Sequence, residues 1–201
     1  MTGSGSQIRD GSGSTRLDKT QVFPGAAWQR CIVHLERDVA GWFKSKSDRA
    51  VALAAMKATF AERDPQLVRA SYRRACEVIG GISARAGELL EDAEADALAY
   101  LDFPYEHHVR LRTNNVQERA NEEIKRRTKV VGVFPSTESL MRLVGSVLVD
   151  VNEEWMLGQF MDASSLVGLE RDTSEPEPPS AEVVELARAR IAAAIEERRA
   201  A

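Results

Sequence analysis

Only two cysteines, Cys31 and Cys76, occur in the 201 residues, too few for a disulfide framework and suited to a reducing cytoplasm. Aromatic residues are scarce at 6%, and no Gly/Asn turn signals recur at strand spacing, which argues against a β-sandwich or β-barrel. No apolar run approaches the roughly 18–20 residues needed to cross a bilayer, so no membrane association is expected. The start, Met1 to Ser14, is Gly/Ser-rich and lacks the apolar stretch of a secretory signal. P-loop, G-x-G-x-x-G, G-x-S-x-G and H-E-x-x-H motifs are all missing, which removes the common nucleotide, hydrolase and zinc-protease signatures. Hydrophobic residues still make up 43% and charged residues 29%, with a formal net charge of −4. A chain of this length and composition can bury a core and corresponds to one domain, or one and a half.

Residues 1–21 have little apolar side chain to offset the entropy of ordering them and are expected to be a flexible tail. Phe23-Pro24-Gly25 reads as a turn. Trp28 to His34 (WQRCIVH) reads as a short strand on its β-branched and aromatic content. Leu35 to Phe43 then has helical spacing, with Leu35, Val39 and either Trp42 or Phe43 on one side. Residues 22–47 are thus a strand-helix unit. Residues 48–105 are rich in Ala, Leu, Arg and Glu and predict a helical hairpin or three-helix bundle. Asp48 is its first cap, Asp64-Pro65 starts a second helix, Gly80-Gly81 breaks it, and Asp102-Phe103-Pro104 ends the run. In residues 106–165, a helix over 114–128 is followed by the apolar VVGVF and Pro135. Ser136 then caps a helix whose Leu140, Leu143, Val144, Val147, Leu148 and Val151 predict a central core position. Residues 166–201 form an acidic Pro-rich linker and a final helix near 181–199. From Glu170 onward eight acids face five bases, a net of −3, so this tail is expected to be solvated.

The window Glu106 to Val130 has the opposite character. Arg110, Arg112, Arg119, Lys125, Arg126, Arg127 and Lys129 outweigh Glu106, Glu118, Glu122 and Glu123, leaving +3 on an acidic protein. Such a patch can track phosphates, or it can be an ordinary solvated face. At about 100° per residue, Val116, Ala120 and Ile124 share one stripe while Glu118, Asn121 and Lys125 share another. Glu122 can pair with Arg126 and Glu123 with Arg127, but Glu118 has no local partner of opposite charge. An acid left unpaired among bases and amides suits a metal ligand, although an exposed glutamate is the commoner case. Cys31 and His34 form a C-x-x-H spacing. With Cys76, His107 and His108 they could be imagined around zinc, but no second ligand pair has the usual spacing. On a strand, residues three apart also point to opposite faces, which disfavours a Cys31/His34 nucleophilic pair.

Three ordered blocks carry a resemblance: WQRCIVHLERDV, LAYLDFP, and RLRTNNVQERANEEIKRRTKVVGVFPSTESLMRLVGSVLVDVNEEW. Together they resemble the bacterial Mutator-type insertion-sequence transposases, from about Val22 to Gly158. The resemblance implies an RNase H-like core with two aspartates, one glutamate and a helical insertion before the glutamate. It makes the fold mainly α with an α+β remnant, the carboxyl-terminal part of such a core. It assigns Glu118 as the final catalytic and metal-binding acid and Lys125 as the basic residue following it. Residues 48–105 become the insertion, and Cys31 and His34 the family's C-x-x-H motif, in a structural role. Implied partners are DNA, both insertion-element ends and target, with Arg112, Asn115, Arg119, Lys125, Arg126, Arg127 and Lys129 as contacts. The implied cofactor of the intact enzyme is Mg²⁺ or Mn²⁺, which can activate and stabilise oxygens in phosphoryl transfer and prefers carboxylate ligands.

The departure lies upstream. The family's two aspartates precede the C-x-x-H block within a longer amino-terminal part, whereas Asp10 and Asp18 stand in a Gly/Ser context that matches neither. The expectation is therefore a truncated, inactive copy with one of three catalytic acids. The alternative is a helical DNA-binding or interaction module that associates with full-length transposase, or with itself, and inhibits it.

Overall fold

Good helix formers, recurrent apolar spacing and well-placed caps make this chain helical. In the computed structural model, residues 28–157, 164 and 177–200 are described, and among them there is no strand. The expected tail over 1–21, the Phe23-Pro24-Gly25 turn and most of the acidic linker lie outside these residues. The first helices are α1 (Ile32–Gly41), α2 (Lys46–Ala61), α3 (Pro65–Ile82), α4 (Ala84–Asp92) and α5 (Glu94–Leu98). A 3₁₀ turn (Ala99–Asp102), α6 (Tyr105–Leu111), α7 (Asn115–Val131), α8 (Thr137–Leu157) and α9 (Ala181–Ala200) follow.

The strand expected over Trp28 to His34 is replaced by two different things. Trp28 to Cys31 is a strap without regular structure, and Ile32 opens α1. The strap is held by Arg30 N–H donating to Asp96 O at 2.8 Å and by the Gln29 side chain. That amide accepts from Tyr100 N–H at 2.6 Å and donates to Ala97 O at 3.1 Å. Extended backbone thus pairs with the edge of a helical turn, not with another strand. Downstream, the 3.6-residue stripe of Ile32, Leu35, Val39 and Phe43 is buried in the core and overrides the β-propensity of Ile32 and Val33. Phe43, not Trp42, is the aromatic that turns inward.

The main core joins α1 to α5, the 3₁₀ turn and α9, around Leu35, Met56, Tyr72, Ile79, Leu90 and Ile191. Asp64 caps α3 as expected, accepting from Leu67 N–H at 2.9 Å. The cap of α2 is Ser45, whose Oγ accepts from Asp48 N–H, so Asp48 sits in the first turn and not at the cap. Gly80-Gly81 does not break α3, which runs on to Ile82 and stops where Ser83 caps α4. The close crossing with α4 rests on Gly87, whose Cβ would lie 2.7 Å from Gly80 Cα, whereas a Cβ on Gly80 would meet only ordinary contact at 3.8 Å. The terminal helix is not a solvated tail. Ala187, Ile191 and Ile195 of α9 are buried, and Arg190 reaches both carboxylate oxygens of Glu62 at 2.6 and 2.7 Å. Its charges face outward while an Ala/Ile stripe packs inward, a division that net charge cannot reveal.

Helices α7 and α8 form a hairpin beside this bundle. Ser136 caps the start of α8 through Ser139 N–H at 3.2 Å, and Gly132 ends α7 with φ of 74°, a conformation that favours glycine. The expected central core position of α8 is not found. Val147 is its one buried residue, while Met141, Leu148 and Val149 are exposed. Its described neighbour is α7, whose Ala120, Val116 and Ile124 stripe faces it, and one helix covers only part of an apolar circumference. None of the described helices is long and apolar enough to cross a membrane.

Candidate active site and nucleic-acid interface

The two landmarks of the sequence meet at the elbow between α6 and α7. Ile32 N–H donates to Arg112 O at 3.0 Å, which fastens the start of α1 to the residue that ends α6. His34 lies in the first turn of α1 and Glu118 in the first turn of α7, so this one bond brings them together. His34 Nε2 stands 3.6 Å from Glu118 Oε1, and both side chains are about half exposed. The separation exceeds hydrogen-bond length, so the contact is a juxtaposition and not a lock. Glu118 is therefore not wholly without a partner; its neighbour comes from α1 instead of its own helix. Its place near the amino end of α7 also favours a negative charge there. Cys31, the other half of the C-x-x-H spacing, is buried and free beneath the start of α1.

From Glu118 a stripe runs along α7. Lys125 and Lys129 follow at i+7 and i+11, within about 20° of Glu118 and about 10 and 16 Å along the axis. Arg119, Lys125 and Lys129 are exposed, with no described carboxylate in ion-pair range. Asn115 opens the helix and is exposed as well. The other three expected DNA contacts are engaged elsewhere. Arg126 bonds Glu123 through Nε at 2.8 Å and Nη2 at 2.7 Å, and Arg127 bonds the same carboxylate at 2.8 Å. Arg127 also lies 3.4 Å from Asp150, tying α7 to α8. Glu123 thus takes both arginines, where Glu122 was expected to take Arg126. The paired guanidinium groups hold the Glu123 carboxyl down to about 2. Arg112 turns inward and donates to Phe60 O at 2.6 Å, beside the buried Tyr100 phenol, so it braces the elbow against α2.

Around the elbow, His108 Nε2 lies 2.7 Å from Phe103 O, and its ring meets Tyr100 and Tyr105 edge-on. His107 is buried beside it, and Cys76 sits in the core on α3. Neither joins Cys31 and His34. No group of three or more His, Cys, Asp or Glu side chains that could hold a metal occurs among the described residues. Glu118 offers one hard oxygen donor and His34 a nitrogen at its side. That set alone does not fit a Mg²⁺ site, which needs near-octahedral oxygen coordination. Sequence reasoning set His34 aside as structural. The juxtaposition with Glu118 depends on the Ile32–Arg112 backbone bond, which no local pattern announces.

Comparison with known proteins identifies the family of this chain. Residues 17–158 match the family described as Transposase, Mutator family. The transposase for insertion sequence element IS406 of Burkholderia multivorans is 33% identical over 156 residues, covering 76% of this chain and 39% of that protein. The transposase for IS1081 of Mycobacterium tuberculosis is 35% identical over 138 residues, 69% of this chain and 33% of that protein. The transposase for ISRM5 of Rhizobium meliloti is 36% identical over 139 residues, 68% and 34% respectively. The chain spans between a third and two-fifths of the length of these relatives. No solved structure matches. On the extent of the family match, the chain belongs to the Mutator family of transposases.

Proposed function

We propose that this polypeptide is the carboxyl-terminal part of the catalytic core of an insertion-element transposase, acting in DNA transposition. In this reading Glu118 is the last acid of an RNase H-like site, and residues 48–105 form the helical insertion that precedes it. The observation that carries it is the meeting of His34 and Glu118 at 3.6 Å, two family landmarks far apart in sequence, at the head of an unpaired basic stripe. Arg119, Lys125 and Lys129 would contact backbone phosphates, with Asn115 as a neutral donor. Arg112, Arg126 and Arg127 serve the elbow and the hairpin that carry Glu118. A divalent ion in the assembled enzyme would supply charge stabilisation at the phosphate undergoing displacement. One carboxylate does not assemble that centre, so residues 1–201 by themselves are proposed to be inactive.

Two experiments test this. The 201-residue chain incubated with terminal-repeat DNA and Mg²⁺ or Mn²⁺ is expected to yield no strand-transfer product, and robust activity would refute its dependence on further acids. Residues 22–158 placed in an intact relative, such as the IS406 transposase, are expected to support transposition. Glu118→Gln in that chimera should then reduce it at least a thousandfold, roughly 4 kcal/mol of transition-state stabilisation. A chimera indifferent to Glu118→Gln would sink the catalytic assignment.

A second reading has its own observation. Met141, Leu148, Val149, Met156 and Leu157 leave one side of α8 open and apolar. The chain could use that side to associate with a full-length transposase and inhibit it. Titration into active transposase should then reduce product in proportion to added chain, and no loss of activity together with no co-purification would remove this reading.

A further inference from the structure

The solvent side of α1 carries an aromatic ring and charged residues together. Ile32, Leu35, Val39 and Phe43 occupy the buried stripe, and His34, Arg37, Asp38, Gly41 and Trp42 recur at i, i+3, i+4, i+7 and i+8 on the opposite one. At the end of the helix two neighbouring aromatics part company. Phe43 is 4% exposed and fills the core position, which leaves Trp42 50% exposed. Its backbone is nevertheless fixed. Arg49 donates from Nε to Ala40 O at 3.1 Å and from Nη2 to Phe43 O at 3.4 Å, bracketing Trp42 on both sides. Arg37, Lys44 and Lys46 lie within five residues of Trp42 in sequence, all exposed and with no described carboxylate in ion-pair range. The nearest acid on the stripe, Asp38, is held by Arg30 at 3.3 Å.

We propose that this surface binds DNA containing unpaired bases, Trp42 stacking on one base while Arg37, Lys44 and Lys46 hold the flanking phosphates. An exposed indole on an anchored backbone, with cations close by in sequence, suits single-stranded nucleic acid, because each base offers a π-face once it leaves the duplex stack. An intact duplex hides those faces and could use only the cations. The stripe also has a direction. Trp42 lies about 12 Å along α1 from His34, the length of three to four stacked nucleotides. Resting on the catalytic reading of Glu118, this places the unpaired base a few nucleotides from the phosphate undergoing displacement, on the strand that leaves the site along α1.

The test compares the full chain and its variants by fluorescence anisotropy on two labelled DNAs: a blunt duplex, and the same duplex with a single-stranded overhang. Overhang DNA should bind more tightly. Trp42→Ala should weaken overhang binding about tenfold with little change on the blunt duplex, and Trp42→Phe should retain most of the affinity. Lys44→Ala and Lys46→Ala should weaken both DNAs and each lower the salt slope by about one. Unaltered far-UV circular dichroism confirms that each variant is folded. The proposal is overturned if the wild-type chain shows no preference for the overhang, or if Trp42→Ala binds like wild type or loses both DNAs equally. The catalytic reading is judged by the Glu118→Gln chimera, so either assignment can fail while the other stands.

Discussion

Replacing Ile191 by alanine tests whether the terminal helix belongs to the core. Ile191 is 1% exposed and joins the cluster that contains Met56, Phe60 and Tyr72, although it lies beyond the residues matched to the family. Truncating a buried isoleucine to alanine costs about 2–5 kcal/mol, from lost transfer energy and from the cavity left behind. Helix α9 packs on the outside of α2 and α3 and can relax inward, which points to the lower half of that range, about 2–3 kcal/mol. In a chain of this size each kcal/mol moves Tm by about 2–4 °C, so the expected fall is about 4–12 °C. Leu186→Ala is the internal control, since that side chain is 44% exposed on the same helix and should change stability by less than about 0.5 kcal/mol. Thermal unfolding followed by circular dichroism, with urea unfolding as a second measure, reads the difference. Equal Tm values for the two variants would refute the docking of α9 and return it to solvent.

Further outcomes follow from specific contacts. Gly87→Ala should destabilise by about 1–3 kcal/mol because its Cβ would collide with Gly80, whereas Gly81→Ala, which faces open space, should stabilise by up to about 1 kcal/mol; thermal melts of both check the pair. The Glu123 carboxyl is held down to about 2 from an ordinary 4.5 by Arg126 and Arg127, so its contribution to stability is complete above about pH 4.5 and fades as pH falls towards 2. The stability difference between wild type and Glu123→Gln, measured from neutral to acid pH, should therefore shrink on acidification, and a constant difference would contradict the pairing. Burial and nearby Glu94 and Glu91 push the Cys76 thiol up to about 12, so it should resist thiol reagents in the native chain and react in denaturant; prompt native labelling at Cys76 in a Cys31→Ser background would contradict its placement.

Local chemistry made part of this structure legible. Asp64-Pro65 carries both a cap and a fixed first-turn φ, and α3 begins there. Asp102-Phe103-Pro104 ends the bundle because the residue before proline is driven out of the helical region, and Phe103 is extended with ψ of 158°. The unequal stripes of α7 also follow from spacing alone: Ala120 is buried, and Glu118 stays on the open side. Failures arise where tertiary contacts outvote local preference. Gly80-Gly81 carries a breaker's composition, yet α3 runs through it to Ile82, and Gly80 lies where Gly87 of α4 crosses it closely. Trp28 to His34 has a strand's composition, yet the strap finds its partners in Asp96, Ala97 and Tyr100, so no ladder forms. The position of His34 against Glu118 was beyond reach for the same reason, because a backbone bond between distant residues sets it.

The terminal helix bears on how the family's parts are combined here. The family match ends at residue 158, where α8 also finishes, yet the bundle over α2 and α3 is closed by α9 from outside that match. Helix α9 covers apolar side chains of α3 directly, with Leu67 and Ala70 packed in one cluster with Ala187. In this chain the cover is an Ala/Ile stripe fastened at its rim by Arg190 and Glu62. Helix α8 shows the contrary case, an apolar side within the family match that nothing described covers. The two surfaces therefore differ in kind: one is completed by the chain's own residues, and the other is covered by nothing among the described residues. If that division holds, removing residues 177–201 should destabilise the bundle without affecting capture of a full-length transposase. A charge placed on α8 by Leu148→Glu should instead abolish capture and leave the thermal transition unchanged. Loss of both properties in either variant would show that the bundle and the hairpin do not act as separable surfaces.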